Sequence, residues 1–266
     1  MASVLYPKTT DEISEIVKEA NKYNKNVRVV GSGHSFSKLI PTDDIILNLK
    51  NLSGLIEVSN DNSWAHFWAG TILKDVNTVL FDHGLALNNL GDVDVQTLAG
   101  ATATGTHGTG RDLNIISEDI IEVTFVNGNG EVLTIGEESP EMLKAFKVNL
   151  GVLGIIISLK MRVVPSYKLE CKIQKYKIND LLKDFDKLSK KHRNFEFFWF
   201  PYTEYAQLKT LDITDKPVSN GKISGFINDV LLENILFGLI VKKTLLFKSK
   251  IQFFSKLCTS FISSSS

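Results

Sequence analysis

Cysteine is scarce in this chain: Cys171 and Cys258 are its only two, far apart and in neither CxxC nor zinc-ligand spacing. That count excludes a disulfide framework and a cysteine metal site, so no metal is expected, and it fits a reducing compartment. Excess charge of either sign is lacking as well, since thirty basic residues balance thirty acidic ones. Nothing therefore advertises nucleic acid or an anionic membrane as a partner, and small neutral substrates stay open. The amino terminus, Met1 to Pro7, has no basic stretch leading into an apolar one. A secretory signal is not expected, and the cytoplasm is the default location. Long uncharged runs are also missing. The most apolar stretch, Gly225 to Val241, carries Asp229, Glu233 and two asparagines within the roughly 20 residues that a membrane span needs. It reads as a buried amphipathic helix rather than a transmembrane segment.

What is present suffices for a core. Of 266 residues 43% are hydrophobic and 23% charged, the range of one large or two modest globular domains. Thr9-Thr10-Asp11-Glu12 opens a helix with a capping box, and Ile13, Ile16, Val17, Ala20 and Tyr23 follow at helical spacing. Val27 to Val30 is a short β-branched strand that halts at Gly31-Ser32-Gly33. Ile45 to Leu49 and Ala65 to Ala69 read as further strands, and Leu73 to His83 as a helix ending at Gly84. Asp119 to Val126 and Glu131 to Ile135 flank Asn127-Gly128-Asn129-Gly130, a β-hairpin in which the Asn-Gly pairs supply positive φ angles.

Leu150 to Val164 reads as a strand before Pro165, near which a first domain ends. Beyond it come a charged helix, Asp180 to Lys191, an aromatic strand, Phe195 to Phe200, and a helical tail from Phe226 to about Phe261. The expected division is residues 1–167, residues 168–262 and a disordered serine tail over 263–266. The second region looks too small to close on itself.

Two segments carry chemistry. Val29-Val30-Gly31-Ser32-Gly33-His34-Ser35-Phe36 is a strand followed by glycines that let successive N–H groups converge on an anion, with serine hydroxyls nearby. A plain tight turn fits the same residues equally well. A GxGxxG dinucleotide fingerprint does not, because Phe36 replaces the third glycine and Pro41 interrupts the helix that should follow. The second segment, Thr97 to Gly110, packs four glycines, three alanines and five threonines into fourteen residues. Such a run has little to bury, and it lets a planar ligand or a pyrophosphate approach the backbone closely. A flexible loop is the alternative, although the charged residues usual in a linker are missing.

Taken together, Gly-Ser-Gly-His-Ser-Phe at 31–36, Gly91-Asp92-Val93-Asp94-Val95-Gln96-Thr97-Leu98-Ala99-Gly100, Thr104-Gly105-Thr106-His107-Gly108-Thr109-Gly110 and Leu150-Gly151-Val152-Leu153-Gly154 resemble the flavin domain of the vanillyl-alcohol oxidase superfamily. The nearest resemblance is to its aldonolactone oxidase and alditol oxidase branch, covering about residues 4 to 165. It implies an α+β fold: a PCMH-type FAD-binding domain of two α/β subdomains, with one FAD extended between them, followed by an incomplete α+β substrate domain. The pyrophosphate would lie on Val30, Gly31, Ser32, Gly33, His34 and Ser35. The resemblance also makes His34 the candidate for a covalent link to the flavin, through a neutral imidazole nitrogen acting on the electron-poor ring. Asp92, Thr97, Gly100, Thr104, Gly105, Thr106 and His107 would line the flavin and its ribityl and phosphate groups, and backbone around Gly154 and Ile156 would hold the adenine. The Gly91-Asp92-Val93-Asp94 pattern fits the lactone branch better than the alditol branch.

The implied function is oxidation of a CH–OH group of a sugar lactone or polyol, with electrons passed to oxygen or another acceptor. In this family the polar residues that act on the substrate lie in the carboxy-terminal domain, including a lysine in a late His-Trp-Gly-Lys motif, which this sequence does not contain. The chain is therefore expected to stop before that domain is complete, with catalytic residues beyond it. A non-catalytic FAD-binding module, or a nucleotide-binding protein without flavin chemistry, are the competing functions.

Overall fold

The computed structural model describes residues 2–35, 38–218, 242 and 250–260. The chain divides into two compact units, residues 1–108 with 113–166, and residues 109–112 with 167–266. In chain order the first unit contains β1 (Ser3–Leu5), α1 (Thr10–Lys22), β2 (Val27–Val30), β3 (Ile45–Asn48), β4 (Leu55–Val58), β5 (Trp64–Trp68), α2 (Leu73–Asp82), β6 (Leu85–Ala86) and α3 (Leu98–Ala103). A 3-10 turn (Ile116–Asp119), β7 (Ile120–Val126), β8 (Val132–Gly136), α4 (Pro140–Lys147), β9 (Ile155–Arg162) and β10 (Val164–Pro165) follow.

These strands form a parallel three-stranded sheet, β1-β3-β2, an antiparallel five-stranded sheet, β4-β5-β9-β7-β8, and the short β10-β6 pair. The parallel sheet follows from α1, which crosses from β1 to β2. The antiparallel one follows from the hairpins β4–β5 and β7–β8. One continuous core joins the two sheets, with Ile13, Leu47, Phe67, Leu73, Leu80, Leu98, Ile157 and Leu159 within it and nearly inaccessible.

Local chemistry sets the boundaries. Thr9 caps α1 by accepting from the Glu12 N–H at 3.2 Å, while the Glu12 carboxylate reaches one residue further back than a capping box requires and takes the Lys8 N–H at 2.7 Å. The α1 stripe is Ile13, Val17 and Ala20. Tyr23, expected to extend it, sits at the C-cap and is exposed, because the helical phase ends at Lys22. In the β7–β8 turn, Gly130 alone takes a positive φ, 79°. The Asn127 side chain accepts from the Asn129 and Glu131 N–H groups, so a side-chain bond replaces the second positive φ. The strand expected from Leu150 starts instead at Ile155, since Leu150, Gly151 and Gly154 have φ of 53°, 74° and 142° and cannot lie in an extended ladder.

The largest departure concerns Thr97 to Gly110. Its first part is not a loop: Leu98–Ala103 is a short helix in which Leu98, Ala101 and Thr102 are fully buried. Small residues carry no hydrophobic periodicity, so the helix is invisible to pattern reading. Its start is nevertheless marked by Thr97, whose Oγ1 accepts from the Gly100 N–H at 3.3 Å.

The second unit contains β11 (Leu169–Lys177), α5 (Ile178–Lys191), β12 (Asn194–Trp199), β13 (Tyr205–Ile213) and α6 (Ile251–Ser260), with an antiparallel sheet in the order β11-β13-β12. Leu181 of α5, Phe195, Ala206 and Leu208 form its core cluster. Alternate positions carry the Glu196–Lys209 pair at 2.7 Å and Lys175 over the Tyr205 ring. The helix expected over Gly225 to Val241 and the serine tail lie outside the described residues. No helix among the described residues is long and apolar enough to cross a membrane.

Candidate cofactor site

The carboxyl ends of β2 and β3, the turn after β5, α3 and the entry to β9 converge on a cavity of about 150 Å³ in the first unit that opens to solvent. Backbone contacts assemble its walls. The Gly70 N–H donates to the Leu52 carbonyl, and a Cβ on Gly70 would fall 2.0 Å from the Leu49 carbonyl oxygen, so glycine alone lets the end of β5 lie against the turn after β3. The N–H groups of Leu73 and Lys74, at the start of α2, donate to the carbonyls of Gln96 and Asp94. That interaction satisfies an uncapped helix end and fixes the approach to α3.

Anion donors come from the loop after β2. Gly33 takes φ 73°, and among the described residues no backbone carbonyl accepts from the N–H of Ser32, Gly33 or His34. The start of α3 is spent differently: Leu98 and Ala99 donate to the Thr71 and Ala69 carbonyls, and Gly100 to Thr97. The loop approaches the start of the helix closely, since a Cβ on Gly31 would lie 2.2 Å from Thr97 Oγ1. Among the described lining residues only His34 carries an ionisable side chain. The remaining wall is backbone, hydroxyl and amide groups together with Val29, Val30, Leu39, Ile40, Leu49, Ala69, Ala99, Ala103, Leu150 and Ile156. Such a surface suits a ligand that pairs a planar apolar part with a polar, anionic one.

Eleven of the residues singled out in the sequence line this cavity: Val30, Gly31, Ser32, Gly33, His34, Ser35, Thr97, Gly100, Thr104, Gly154 and Ile156. Asp92, Gly105, Thr106 and His107 do not. Asp92 lies on the exposed segment before Gln96. Thr106 faces Gln96, accepting from its Nε2 at 3.2 Å, and its backbone is bonded to Ala101 and Ile116. His107 turns its Nδ1 to the Gly108 carbonyl. Gln96, Leu150 and Gly151 also line the wall; they lie inside motifs read from the sequence but were not singled out as site residues. Asn149 and Gly70 belong to no such motif: Asn149 immediately precedes one, whereas Gly70 reaches the cavity only through the meeting of the two sheets. Among the described residues no group of acidic, histidine and cysteine side chains could hold a metal ion.

Residues 1–136 match the FAD binding domain family. The chain belongs to that family. Residues 159–266 match D-arabinono-1,4-lactone oxidase. Among curated relatives, L-gulonolactone oxidase of Scyliorhinus torazame is 34% identical over 213 residues, 80% of this chain and 48% of that protein. D-arabinono-1,4-lactone oxidase of Candida glabrata is 34% identical over 223 residues, covering 82% and 42%. L-gulono-1,4-lactone dehydrogenase of Mycobacterium tuberculosis is 32% identical over 215 residues, covering 81% and 50%. The chain thus spans about half the length of the curated relatives it matches. Among solved structures, cholesterol oxidase from Brevibacterium sterolicum superposes with a TM-score of 0.82 at 19% identity over 97% of this chain and 54% of that one, a likeness of fold.

FAD is the cofactor of this family, and the residues present fit it. Among the described residues the N–H groups of Ser32, Gly33 and His34 are given to no backbone carbonyl and can meet a pyrophosphate, Gly31 and Gly70 hold the backbone close where a side chain would block it, and the apolar walls accept a planar ring.

Proposed function

We propose that this chain is the flavin-binding part of an FAD-dependent oxidoreductase that oxidises a CH–OH group of an aldono-1,4-lactone, passing the electrons to oxygen or another acceptor. The observation that carries the reading is the cavity itself: neutral walls, a free N–H loop at Ser32 to His34, and small residues where two sheets meet. The names of the relatives supply the lactone class and include both oxidases and a dehydrogenase, which is why the acceptor is left broad. When bound, FAD supplies a two-electron acceptor for the hydride that leaves the carbon.

The chain's own residues bind and orient. Ser32, Gly33 and His34 donate to the pyrophosphate through backbone N–H groups. Val29, Ala99 and Ile156 would exclude water from the bound cofactor and so strengthen the remaining polar contacts. His34 is the candidate for covalent attachment, being the one ionisable side chain among the described residues of the wall. The group that takes the hydroxyl proton is sought outside the described wall residues, among which there is no carboxylate or lysine.

The test is to purify the protein, record its visible absorption, precipitate it in acid and ask where the flavin goes. Flavin retained in the pellet, and released in His34→Ala, supports attachment through His34. Flavin released from the unmodified protein keeps the cofactor and rejects the link. A folded, colourless protein that cannot be reconstituted with FAD defeats the proposal. Turnover of L-gulono- and D-arabinono-1,4-lactone with an artificial electron acceptor then tests the substrate class.

A further inference from the structure

The turn that enters β9 is strained and apolar at once. Leu150 takes φ 53°, a left-handed conformation that a branched side chain adopts only under constraint. Hydrogen bonds impose it. The Leu150 N–H donates to the Ala103 carbonyl at 3.1 Å, and the Gly151 N–H to Asn149 Oδ1 at 2.6 Å. Asn149, only 4% exposed, is itself anchored through Nδ2 to the Phe146 carbonyl at 2.8 Å. What this arrangement achieves is to lay Leu150 along the cavity wall with 46% of its surface still exposed. A ligand that covers the side chain buries this exposed apolar surface, a gain that weighs against the backbone strain. Val148 and Val152 are exposed in the same turn but do not line the cavity, so exposure alone does not single Leu150 out.

We infer that Leu150 is a cofactor-clamping residue, whose side chain closes on an apolar part of the bound FAD, and that Asn149 is the positioning residue that holds it there. The assignment rests on FAD as the occupant of the cavity. It gives the turn a role that packing within the first unit does not require.

The experiment measures FAD dissociation constants and apoprotein melting temperatures for the full chain in a His34→Ala background, where uptake is reversible. Leu150→Asn keeps a residue tolerant of left-handed backbone but removes the apolar body. Its apoprotein should melt at or above the parent temperature, with FAD binding about tenfold weaker. Leu150→Met, which keeps an apolar body, and Val152→Asn, outside the wall, should bind within about twofold of the parent. Asn149→Ala should lose both affinity and apoprotein stability, because the brace itself is gone. Unchanged FAD affinity in Leu150→Asn overturns the clamp, and so does an apoprotein melting temperature that falls in step with affinity, which marks ordinary packing. An unmodified chain that takes up no FAD overturns the reading of the cavity, and the clamp with it.

Discussion

The two units solve the problem of burial differently. In the first, two sheets and their helices share one core that runs from Ile13 to Val163. In the second, the core cluster among the described residues is Leu181, Phe195, Ala206 and Leu208, and polar contacts hold its edges. Those contacts include Tyr176 to Asp184 at 3.0 Å, Arg111 to Asp186 and Ser189 at 3.2 and 3.1 Å, and His192 to Asp212 at 2.6 Å. Burial grows faster than surface as a unit enlarges, so the first unit can carry a strained turn and an open cavity, whereas the second depends more on each polar pair.

The largest expected effect tests the larger core. Phe67 is fully buried, and Phe67→Ala should destabilise by about 3–5 kcal/mol. Hydrogen exchange read strand by strand should accelerate throughout the five-stranded sheet. Leu181→Ala removes the inaccessible centre of the smaller core and should cost about 2–4 kcal/mol, with faster exchange in β11, β12 and β13. If each substitution opens both units equally, the contrast between them does not hold. Thr9→Ala deletes a capping bond on an exposed helix end, and a loss of about 1 kcal/mol, measured by denaturant titration, should be confined to α1 and its neighbours.

The smallest effects separate the units by pH. His66 in β5, whose Nε2 meets Ser158 Oγ at 2.9 Å, has its imidazole pKa lowered first by burial and then by Lys160, against the opposing pull of Glu122 and Glu57. The folded form thus binds its proton less readily than the unfolded chain. That contribution is present above the ordinary histidine value of 6.5 and is lost as pH falls below it. In the second unit burial raises the Asp212 carboxyl, but the hydrogen bonds from His192 and the Arg193 N–H outweigh it and hold the group below the usual carboxylate value of 3.8. Its contribution is present above that value and is lost only as pH falls beneath it. Exchange in β5 and β9 should therefore respond from about pH 6.5 downward, and exchange in β12 and β13 only below about pH 4. His66→Gln should flatten the first response and Asp212→Asn the second.

Much of the first unit was legible in the sequence because its signals are local. A cap at Thr9, an apolar stripe, and a hairpin turn at Asn127 each involve residues within a few positions of one another. The helix over Leu98–Ala103 was hidden because glycine, alanine and threonine carry no contrast between inside and outside. The strands β11 and β13 were missed because charged residues interrupt their alternation. For the candidate site, the motifs gave the 31–35 loop, the approach to α3 that contains Gln96, and the start of β9, yet Gly70 faces the cavity through contacts of distant segments that no local pattern encodes. Asp92 and His107 illustrate the converse, since a motif places residues near a site without deciding which of them turn toward it.

The order of strands in the five-stranded sheet has a consequence in time. β9 is its central strand but the last of the five in the chain, pairing Trp64 with Arg162 across nearly the whole unit. Until it is synthesised, β4–β5 and β7–β8 are separate hairpins, each with an edge left unpaired. Contacts this distant in sequence form slowly. Gly154 and Ile156 arrive with the same strand, so the cavity comes into being only when the sheet closes.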